Sequence, residues 1–328
     1  MQRPVSDADW LAAAARLAAR ARPLSSPNPA VGALLIKDST VIGRGWTQAG
    51  GRPHAEDVAL SQAGDKARGA TLYVTLEPCA HRSDRGPACS DLIAAAGLAA
   101  LVYAVRDPDP RTAGAGAKRI ADTGTEVRHV SCAAAMGSLS GYLVRKQLGR
   151  PHVTLKLAMS LDGCIALANG ESRWITGEAA RAHVHSRRAM SDAILVGGGT
   201  WRSDTPRLDV RLPGLAARSP DRYVLTRGAA PDGAQGIASP SAIAGIEHAQ
   251  YLYVEGGAQT AAAFLAADLV DTVHLYRAPI IIGSGAPSVA DLGLTDLAAA
   301  HDRWTLSDRR QLGSDLFESY ERSTTERG

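Results

Sequence analysis

The stretch that decides the interpretation of this chain reads Pro53-His54-Ala55-Glu56, then Thr75-Leu76-Glu77-Pro78-Cys79-Ala80-His81, and then Gly86-Pro87-Ala88-Cys89. An imidazole and two thiolates are donors that suit Zn²⁺, and three protein ligands leave a fourth position for water, as in catalytic zinc sites. Zinc can lower the pKa of such a water from about 16 to about 7. The sequence therefore predicts a catalytic zinc site.

The predicted zinc ligands are His54, Cys79 and Cys89. Glu56 is the predicted catalytic residue, because it can move protons from a position two residues beyond the first ligand. A single His-x-Glu or a buried cysteine is common by chance, but the ordered set favours a zinc site. The order is also similar to the signature of zinc nucleobase deaminases, although nine residues separate the two cysteines here instead of the usual two.

Length and composition exclude several classes of protein. A chain of 328 residues favours two domains, and 45% apolar against 21% charged residues indicates folded cores. No apolar run reaches the roughly 20 residues that span a bilayer, and the N-terminal region lacks the pattern of a signal peptide. Four cysteines in a chain this long do not resemble a disulfide framework, so we expect a cytoplasmic protein without a membrane partner.

The net charge of +3 is unevenly distributed. Residues 1–150 hold 19 Lys and Arg against 13 Asp and Glu, a net of +6, and the remainder holds 17 against 20, a net of −3. A modest positive excess suits a phosphorylated small-molecule substrate. It falls short of the clustered basic face that a nucleic-acid-binding protein needs.

Predicted strands and helices alternate, which indicates an α/β fold with largely parallel sheets. The predicted helices cover residues 6–22, 53–63, 87–96, 116–122, 133–150, 178–191 and 258–267. The predicted strands cover residues 31–36, 40–46, 71–76, 101–105, 125–130, 152–160, 193–196, 222–226, 251–254 and 272–282. His54 and Cys89 would lie in first helical turns, where partial positive charge favours a thiolate. The ligands should converge at the carboxyl ends of the strands.

Motifs in both halves carry a family resemblance. They are Pro27-Asn28-Pro29, Val31-Gly32, His54-Ala55-Glu56, Val74-Thr75-Leu76-Glu77-Pro78-Cys79 and Arg106-Asp107-Pro108 in the first half, and Leu155-Lys156-Leu157, Ser160-Leu161-Asp162-Gly163, Gly170-Glu171-Ser172, Trp174-Ile175-Thr176 and Asp192-Ala193-Ile194-Leu195 in the second. These stretches resemble the bifunctional deaminase–reductase family of riboflavin biosynthesis. The resemblance covers nearly the whole chain and weakens over residues 213–250, and the long cysteine gap is characteristic of that family.

The resemblance implies a cytidine-deaminase-like zinc domain over residues 1–150 and a dihydrofolate-reductase-like domain over residues 151–328. The first would hydrolytically deaminate a phosphoribosylated diaminopyrimidinone, with one Zn²⁺ per chain. The second would use NADPH to reduce the ribosyl chain to ribityl. The resemblance also implies a homodimer.

The resemblance assigns two groups of residues in the second half. The implied substrate-contacting residues are Ser172, Arg188, Leu208, Arg211 and Glu255. The implied cofactor-side residues are Ala158, Trp174, Thr200, Asp204 and Gly257.

Several of the marked residues have a second interpretation. His81 and Arg85 could hold a substrate phosphate, and a solvated loop is equally compatible. Trp174 by itself is more often a core residue than a cofactor wall, and an arginine such as Arg188 is more often at the surface. Lys156 lies in an apolar strand and should have a partner or a ligand, because an unpaired buried charge is costly.

Two glycine-containing loops, 197–200 and 255–257, follow predicted strands. Backbone N–H groups at such places can hold phosphate. Neither loop matches G-x-G-x-x-G, so a plain tight turn explains each equally well.

Two alternative functions remain compatible with the sequence. The first half could belong to a tRNA or nucleobase deaminase, although 5% aromatic residues offer little stacking surface. The second half could be a reductase-like domain without activity, because its motifs include no metal-binding set.

Overall fold

A computed structural model describes residues 5–81 and 85–323. The chain forms two compact units, Met1–Gly149 and Arg150–Gly328. Within the described residues, no helix has the length and apolar character needed to cross a bilayer. The two units are described separately below.

The first unit is a mixed five-stranded sheet with helices on both faces. Its strands are β1 (Gly32–Lys37), β2 (Thr40–Trp46), β3 (Thr71–Leu76), β4 (Ala100–Val105) and β5 (Glu126–His129), in the spatial order β2-β1-β3-β4-β5. Its helices are α1 (Asp7–Ala18), α2 (Ala55–Ala63), α3 (Cys89–Ala95), α4 (Ala115–Ala121), α5 (Ala133–Ser138) and α6 (Ser140–Leu148). Only β3, β4 and β5 are parallel, because β1 and β2 form a hairpin and β1 is also antiparallel to β3.

Alternation along the strands sends side chains to two separate cores. Leu35 and Leu72 pack in the core that includes α2 and α3. Leu34 and Tyr73 pack in the core that includes α1. Ser6 is the N-cap of α1, since its side chain accepts from the Asp9 N–H in a reciprocal capping box.

Helix α2 lies unusually close to strand β2. A Cβ on Gly43 would lie 2.3 Å from the Ala59 carbonyl oxygen, and a Cβ on Gly45 would lie 2.0 Å from that of Ala55. Only glycine permits this approach, since any side chain would collide with the helix backbone. The approach fixes where α2 begins, and therefore where its N-cap residue His54 lies.

The second unit is built on an eight-stranded sheet in the order β10-β9-β8-β11-β6-β12-β15-β14. Its strands are β6 (His152–Met159), β7 (Cys164–Ala166), β8 (Ala193–Gly197), β9 (Asp221–Leu225), β10 (Gln235–Ile237), β11 (Tyr251–Val254), β12 (Thr272–Arg277), β13 (Ala286–Pro287), β14 (Trp304–Leu312) and β15 (Asp315–Arg322). Its helices are α7 (Glu178–Arg188), α8 (Gly198–Asp204) and α9 (Ala258–Ala266). The six strands from β10 to β12 are parallel, and β15 and β14 are antiparallel to their neighbours.

Three predicted elements differ from the structure, and some strands were not predicted. The strand predicted over 272–282 ends at Arg277, and Pro279 soon after it has no N–H for a sheet ladder. The helix predicted over 133–150 breaks at Leu139, whose ψ of 1° is not helical. The glycine loop predicted over 197–200 is the start of α8. The hairpin β14–β15 was not predicted, because charged residues interrupt its apolar alternation.

A buried ion pair holds the start of the second unit. Arg150 donates to both carboxylate oxygens of Asp271, at 2.6 and 2.8 Å, and the Val153 N–H donates to the same group at 2.8 Å. The two charged side chains are only 11% and 13% exposed. Burial by itself would raise the pKa of Asp271, but the hydrogen bonds from Arg150 and the Val153 N–H, together with the nearby positive charge, outweigh burial and hold that pKa below its usual range.

We expect Asp271→Asn to lower the free energy of unfolding by about 3 kcal/mol, because it leaves the buried Arg150 guanidinium without its counter-charge. Urea unfolding of the full-length protein measures this change. The matched control is Asp122→Asn, which removes an exposed partner of Lys118 and should change stability by less than about 0.5 kcal/mol.

The same prediction has a pH dependence. The folded pKa of Asp271 lies below the unfolded value, so the stabilisation is complete above the unfolded pKa and is lost as pH falls through the folded pKa. The difference between wild type and Asp271→Asn should therefore shrink in acid. A difference that stays constant from neutral to acid pH would contradict the assigned role of the ion pair.

Candidate active sites

The three predicted zinc ligands lie together in the first unit. The Nδ1 atom of His54 is 3.2 Å from Cys89 Sγ and 3.7 Å from Cys79 Sγ, and all three donor atoms lie within 4.8 Å of one another. Tetrahedral zinc with ordinary bond lengths separates such donors by roughly 3.5–3.8 Å. The donor set therefore fits one zinc ion by both chemistry and spacing.

Three elements bring these donors together. His54 is the N-cap of α2 and Cys89 is the first residue of α3, whereas the predictions placed His54 inside the helix. Cys79 follows β3 by three residues, and its sulfur accepts from the Cys89 N–H at 3.3 Å. An orphan N–H of a helix N-terminus thus points at the Cys79 sulfur, as the predicted thiolate requires.

The cysteines differ in their protonation. The hydrogen bond from the Cys89 thiol, together with those from His54 and the Cys89 N–H, lowers the pKa of Cys79. The same thiol bond and burial raise the pKa of Cys89. Burial lowers the pKa of His54, but the Cys79 hydrogen bond and the charge of Glu56 outweigh burial, so that pKa is raised. The lowered pKa of Cys79 favours the thiolate form that zinc coordination requires.

Glu56 is buried beside this cluster, at 4% exposure. Burial raises the pKa of Glu56 to about 7, although the neighbouring His54 opposes that change. The carboxyl group and the cluster residues His54 and Cys79 line one cavity of about 300 Å³. A carboxyl group with this pKa can both accept and donate a proton near neutrality.

The same cavity contains residues that the sequence analysis assigned differently or missed. His81 and Arg85, the phosphate candidates, line it. Asp107 also lines it and belongs to the Arg106-Asp107-Pro108 motif, although no local pattern in the sequence indicates a role for it. Tyr142 and Lys146 line the cavity and were missed, because residues 133–150 were interpreted as a connecting helix.

All ten residues assigned to the second half line a single cavity of about 770 Å³ in the second unit. At its centre, Arg188 donates to Glu255 Oε1 at 2.6 Å and to Oε2 at 2.9 Å. Lys156 Nζ lies 3.9 Å from Glu255 Oε2, so the predicted partner of the buried lysine is confirmed. Arg188 is only 9% exposed, so its interpretation as a surface arginine is wrong.

The charges at the centre of this cavity are coupled. Burial lowers the pKa of Lys156, and the charge of Glu255 opposes that change. Burial raises the pKa of Glu255, but the charge and hydrogen bond of Arg188, together with the charge of Lys156 and other nearby positive charge, outweigh burial, so that pKa is lowered. Two cations thus share one carboxylate in the second cavity, and Arg211 adds an exposed cation to its lining.

The cofactor-side residues lie on several elements around the same cavity. Trp174 is 67% exposed and lies 4.8 Å from the Arg181 guanidinium, so its interpretation as a core residue is wrong. A Cβ on Gly256 would lie 2.4 Å from Thr260 Cβ, and close packing of α9 therefore explains this glycine. Gly257 has more room, with only Thr200 Oγ1 at 3.7 Å from its Cβ position.

Comparison with known families assigns both units. Residues 4–105 match the model of the cytidine and deoxycytidylate deaminase zinc-binding region. Residues 151–317 match the model of the RibD C-terminal domain. The riboflavin biosynthesis protein RibD of Escherichia coli (strain K12) is 36% identical, with 95% of this chain and 98% of that protein covered. The chain belongs to the RibD family.

Other RibD proteins agree with this assignment. The protein of Mycobacterium tuberculosis (strain H37Rv) is 37% identical, with 89% of this chain and 90% of that protein covered. The solved structure of Acinetobacter baumannii RibD, form 1, is 35% identical with a TM-score of 0.83, covering 97% of this chain and 99% of that one. A Thermotoga maritima structure, titled as a diaminohydroxyphosphoribosylaminopyrimidine deaminase/5-amino-6-(5-phosphoribosylamino)uracil reductase, has 29% identity, a TM-score of 0.86 and the same coverage.

Membership of the RibD family confirms the resemblance that the motifs indicated. It also confirms the predicted fold class and the general function, a deaminase domain followed by a reductase domain in one bifunctional enzyme. The first family model describes a zinc-binding region, which agrees with the chemistry of the His-Cys-Cys cluster.

We expect the purified protein to contain about one zinc per chain and Cys89→Ser to lose most of it, because a hydroxyl is a much poorer zinc ligand than a thiolate. Elemental analysis of the metal content measures this loss. Cys132→Ser is the matched control, since Cys132 is also buried and lies outside the cluster. Equal zinc content in the two variants would show that Cys89 is not a ligand.

Proposed function

We propose that this protein carries out two reactions of riboflavin biosynthesis. The first is hydrolytic deamination of diaminohydroxyphosphoribosylaminopyrimidine, and the second is NADPH-dependent reduction of 5-amino-6-(5-phosphoribosylamino)uracil. These are the reactions printed for the Thermotoga maritima relative. The observation that carries the proposal is the cluster of His54, Cys79 and Cys89 beside the buried carboxyl of Glu56 in one cavity.

In the deamination step, His54, Cys79 and Cys89 would hold the zinc. Bound zinc supplies Lewis-acid chemistry that makes water a nucleophile at neutral pH. Glu56 takes a proton from the attacking water and delivers it to the ring nitrogen. It then takes the remaining proton from the added hydroxyl and delivers it to the amino group, which leaves as ammonia as the C–N bond breaks and the carbonyl forms. Its burial and its pKa near neutrality support both transfers.

In the reduction step, the second cavity would hold a nicotinamide cofactor and the phosphorylated sugar together. The cofactor supplies the hydride. Arg211 is the cation most open to solvent among those assigned to substrate, so it can meet the phosphate. The reduced sugar oxygen needs a proton, and Lys156 is a buried cation whose lowered pKa supports donation. Glu255 orients both Lys156 and Arg188.

The competing functions have less support. Family membership over both units favours this pathway over a tRNA deaminase. The ion group around Glu255 supports an active reductase over a vestigial one. The choice of NADPH, the homodimer and the cytoplasmic location are supported by the resemblance, and the location also by four unpaired cysteines.

We expect Glu56→Gln to keep its zinc but to lose roughly 10²–10⁴ in deamination rate, the usual loss when a general acid–base group is removed. Steady-state deamination and metal analysis of the full-length variant measure the two quantities. Reduction by the same protein serves as the internal control and should be unchanged. A zinc-loaded variant with wild-type deamination would exclude the catalytic role of Glu56.

We expect Arg211→Ala to raise the KM of the reductase substrate about tenfold or more and to change kcat much less, because phosphate binding is similar in the ground and transition states. NADPH oxidation by the full-length protein measures both constants, and NADH should be a poorer donor. Arg309→Ala, an exposed arginine on β14 outside the cavity, is the control. A fall in kcat with KM unchanged would contradict the phosphate role.

A further inference from the structure

One wall of the first unit's cavity carries polar residues that the proposed mechanism does not use. They are Asp107, Asp109, Arg111, Tyr142 and Lys146. All of them lie beyond residues 4–105, the segment that the zinc-binding-region model matches. We propose that Asp107 binds the sugar hydroxyls of the deaminase substrate, and that Tyr142 and Lys146 are positioning residues that hold this wall. The proposal rests on the deamination proposed above.

The Asp107 carboxylate is held on one side only. Its Oδ1 atom accepts from the Tyr142 hydroxyl at 2.8 Å and from the Asp109 N–H at 3.0 Å. Its own N–H donates to Glu77 Oε2 at 3.4 Å, which fixes the backbone. Within residues 5–81 and 85–323, the hydrogen bonds to this carboxylate both end on Oδ1, so Oδ2 is left to accept from a ligand in the cavity.

Asp109 has a different role, because its oxygens already have donors. Arg111 donates from Nε to Oδ1 at 2.9 Å and from Nη2 to Oδ2 at 2.6 Å, and Lys146 Nζ donates to Oδ2 at 3.1 Å. These hydrogen bonds, with that of Arg111 the largest, hold the pKa of Asp109 well below its usual range. Asp109 therefore organises the wall, and Asp107 faces the ligand.

Helix α6 supplies two of the supporting groups from one face. Tyr142 and Lys146 are four residues apart, and the Lys146 ammonium lies 5.8 Å from the Tyr142 ring centroid. Tyr142 is 5% exposed, so its hydroxyl is held in place by packing as well as by its bond to Asp107. A hydroxyl that donates to an ionised carboxylate makes one of the stronger hydrogen bonds in proteins. The orientation of Asp107 thus depends on α6.

Of the three parts of the substrate, the sugar is the one whose chemistry suits Asp107 best. An ionised carboxylate only accepts hydrogen bonds, and it repels a phosphate of the same charge. The reacting base has to lie against Glu56 and the buried cysteines, which are nearly inaccessible to solvent. Asp107 and Asp109 are themselves buried, but their partners Arg111 and Lys146 have side chains that are 64% and 39% exposed, so this wall extends from the interior of the cavity to its open side. Hydroxyl groups of the sugar are the donors that can meet Asp107 along this wall.

The test compares two tyrosines of the same unit. Tyr142→Phe should raise the KM of the phosphoribosylated deaminase substrate about tenfold and leave kcat within about twofold, because it loosens a binding carboxylate and not the reacting groups. Tyr73→Phe is the matched control, since the Tyr73 hydroxyl also donates to a carboxylate, Asp7 at 2.7 Å, but lies outside the cavity. Tyr73→Phe should leave KM and kcat unchanged, although it should lower the free energy of unfolding about as much as Tyr142→Phe does.

Two further measurements separate weaker binding of the sugar from weaker binding of the base and from a general effect of removing a lysine charge. The inhibition constant of the diaminopyrimidinone without its sugar should be the same for wild type and Tyr142→Phe. If Tyr142→Phe raises this inhibition constant as much as it raises the KM of the full substrate, the sugar assignment is overturned. Lys146→Met should raise KM in the same direction, whereas Lys118→Met, which removes an exposed pair with Asp122, should not. If the wild-type protein deaminates the substrate and neither Tyr142→Phe nor Lys146→Met changes KM, the inference is overturned. If the wild-type protein itself does not deaminate the substrate, the proposed function is refuted instead.

Discussion

The arrangement of the first unit depends on the close approach of α2 to the sheet. Gly43 and Gly45 let the backbone of β2 lie against the Ala55 and Ala59 carbonyl groups, and small alanine side chains complete the contact. This contact sets the start of α2, and thereby the position of its N-cap histidine. Cys79 and Cys89 reach the same point from β3 and α3, because strand ends and helix starts meet at one edge of such a sheet. The positions of the three donors are therefore set by the packing of backbone elements.

The cavity of the second unit depends on a group of buried charged side chains. Glu255 follows the buried strand β11, and it sits between the guanidinium of Arg188 and the ammonium of Lys156. A buried carboxylate alone would be neutralised by protonation, but two cations keep its pKa low. One positive charge remains on the group, which suits an anionic ligand. The Arg150–Asp271 pair is balanced and does not line this cavity, so its role is structural, unlike that of the group around Glu255.

The sequence predicted some parts of the fold better than others. Elements with a clear local signal, such as the capped helix α1 and the buried strands β1, β3 and β8, are found near the predicted residues. The β14–β15 hairpin was missed, because its strands carry charges on a solvated face and are defined by pairing with β12. The single helix predicted over 133–150 is two helices, and that error hid the contribution of α6 to the first cavity. For Trp174, residue type alone favoured a core position, whereas the family resemblance implied a cofactor-side position. The side chain is exposed and lines the second cavity.

The sequence by itself determined the donor types of the metal cluster, the acid beside it and the family, because these depend on residue identity and order. The residues assigned to the second cavity followed from the family resemblance, since they are scattered from Ala158 to Gly257 without a local pattern. Tertiary structure alone decided which charges became buried partners, such as Lys156 with Glu255, and which oxygen of Asp107 stayed open to a ligand. Such choices depend on contacts between residues far apart in the chain, such as the 35 positions between Asp107 and Tyr142. Local sequence carries no signal for contacts of that kind, because the geometry exists only when the elements pack.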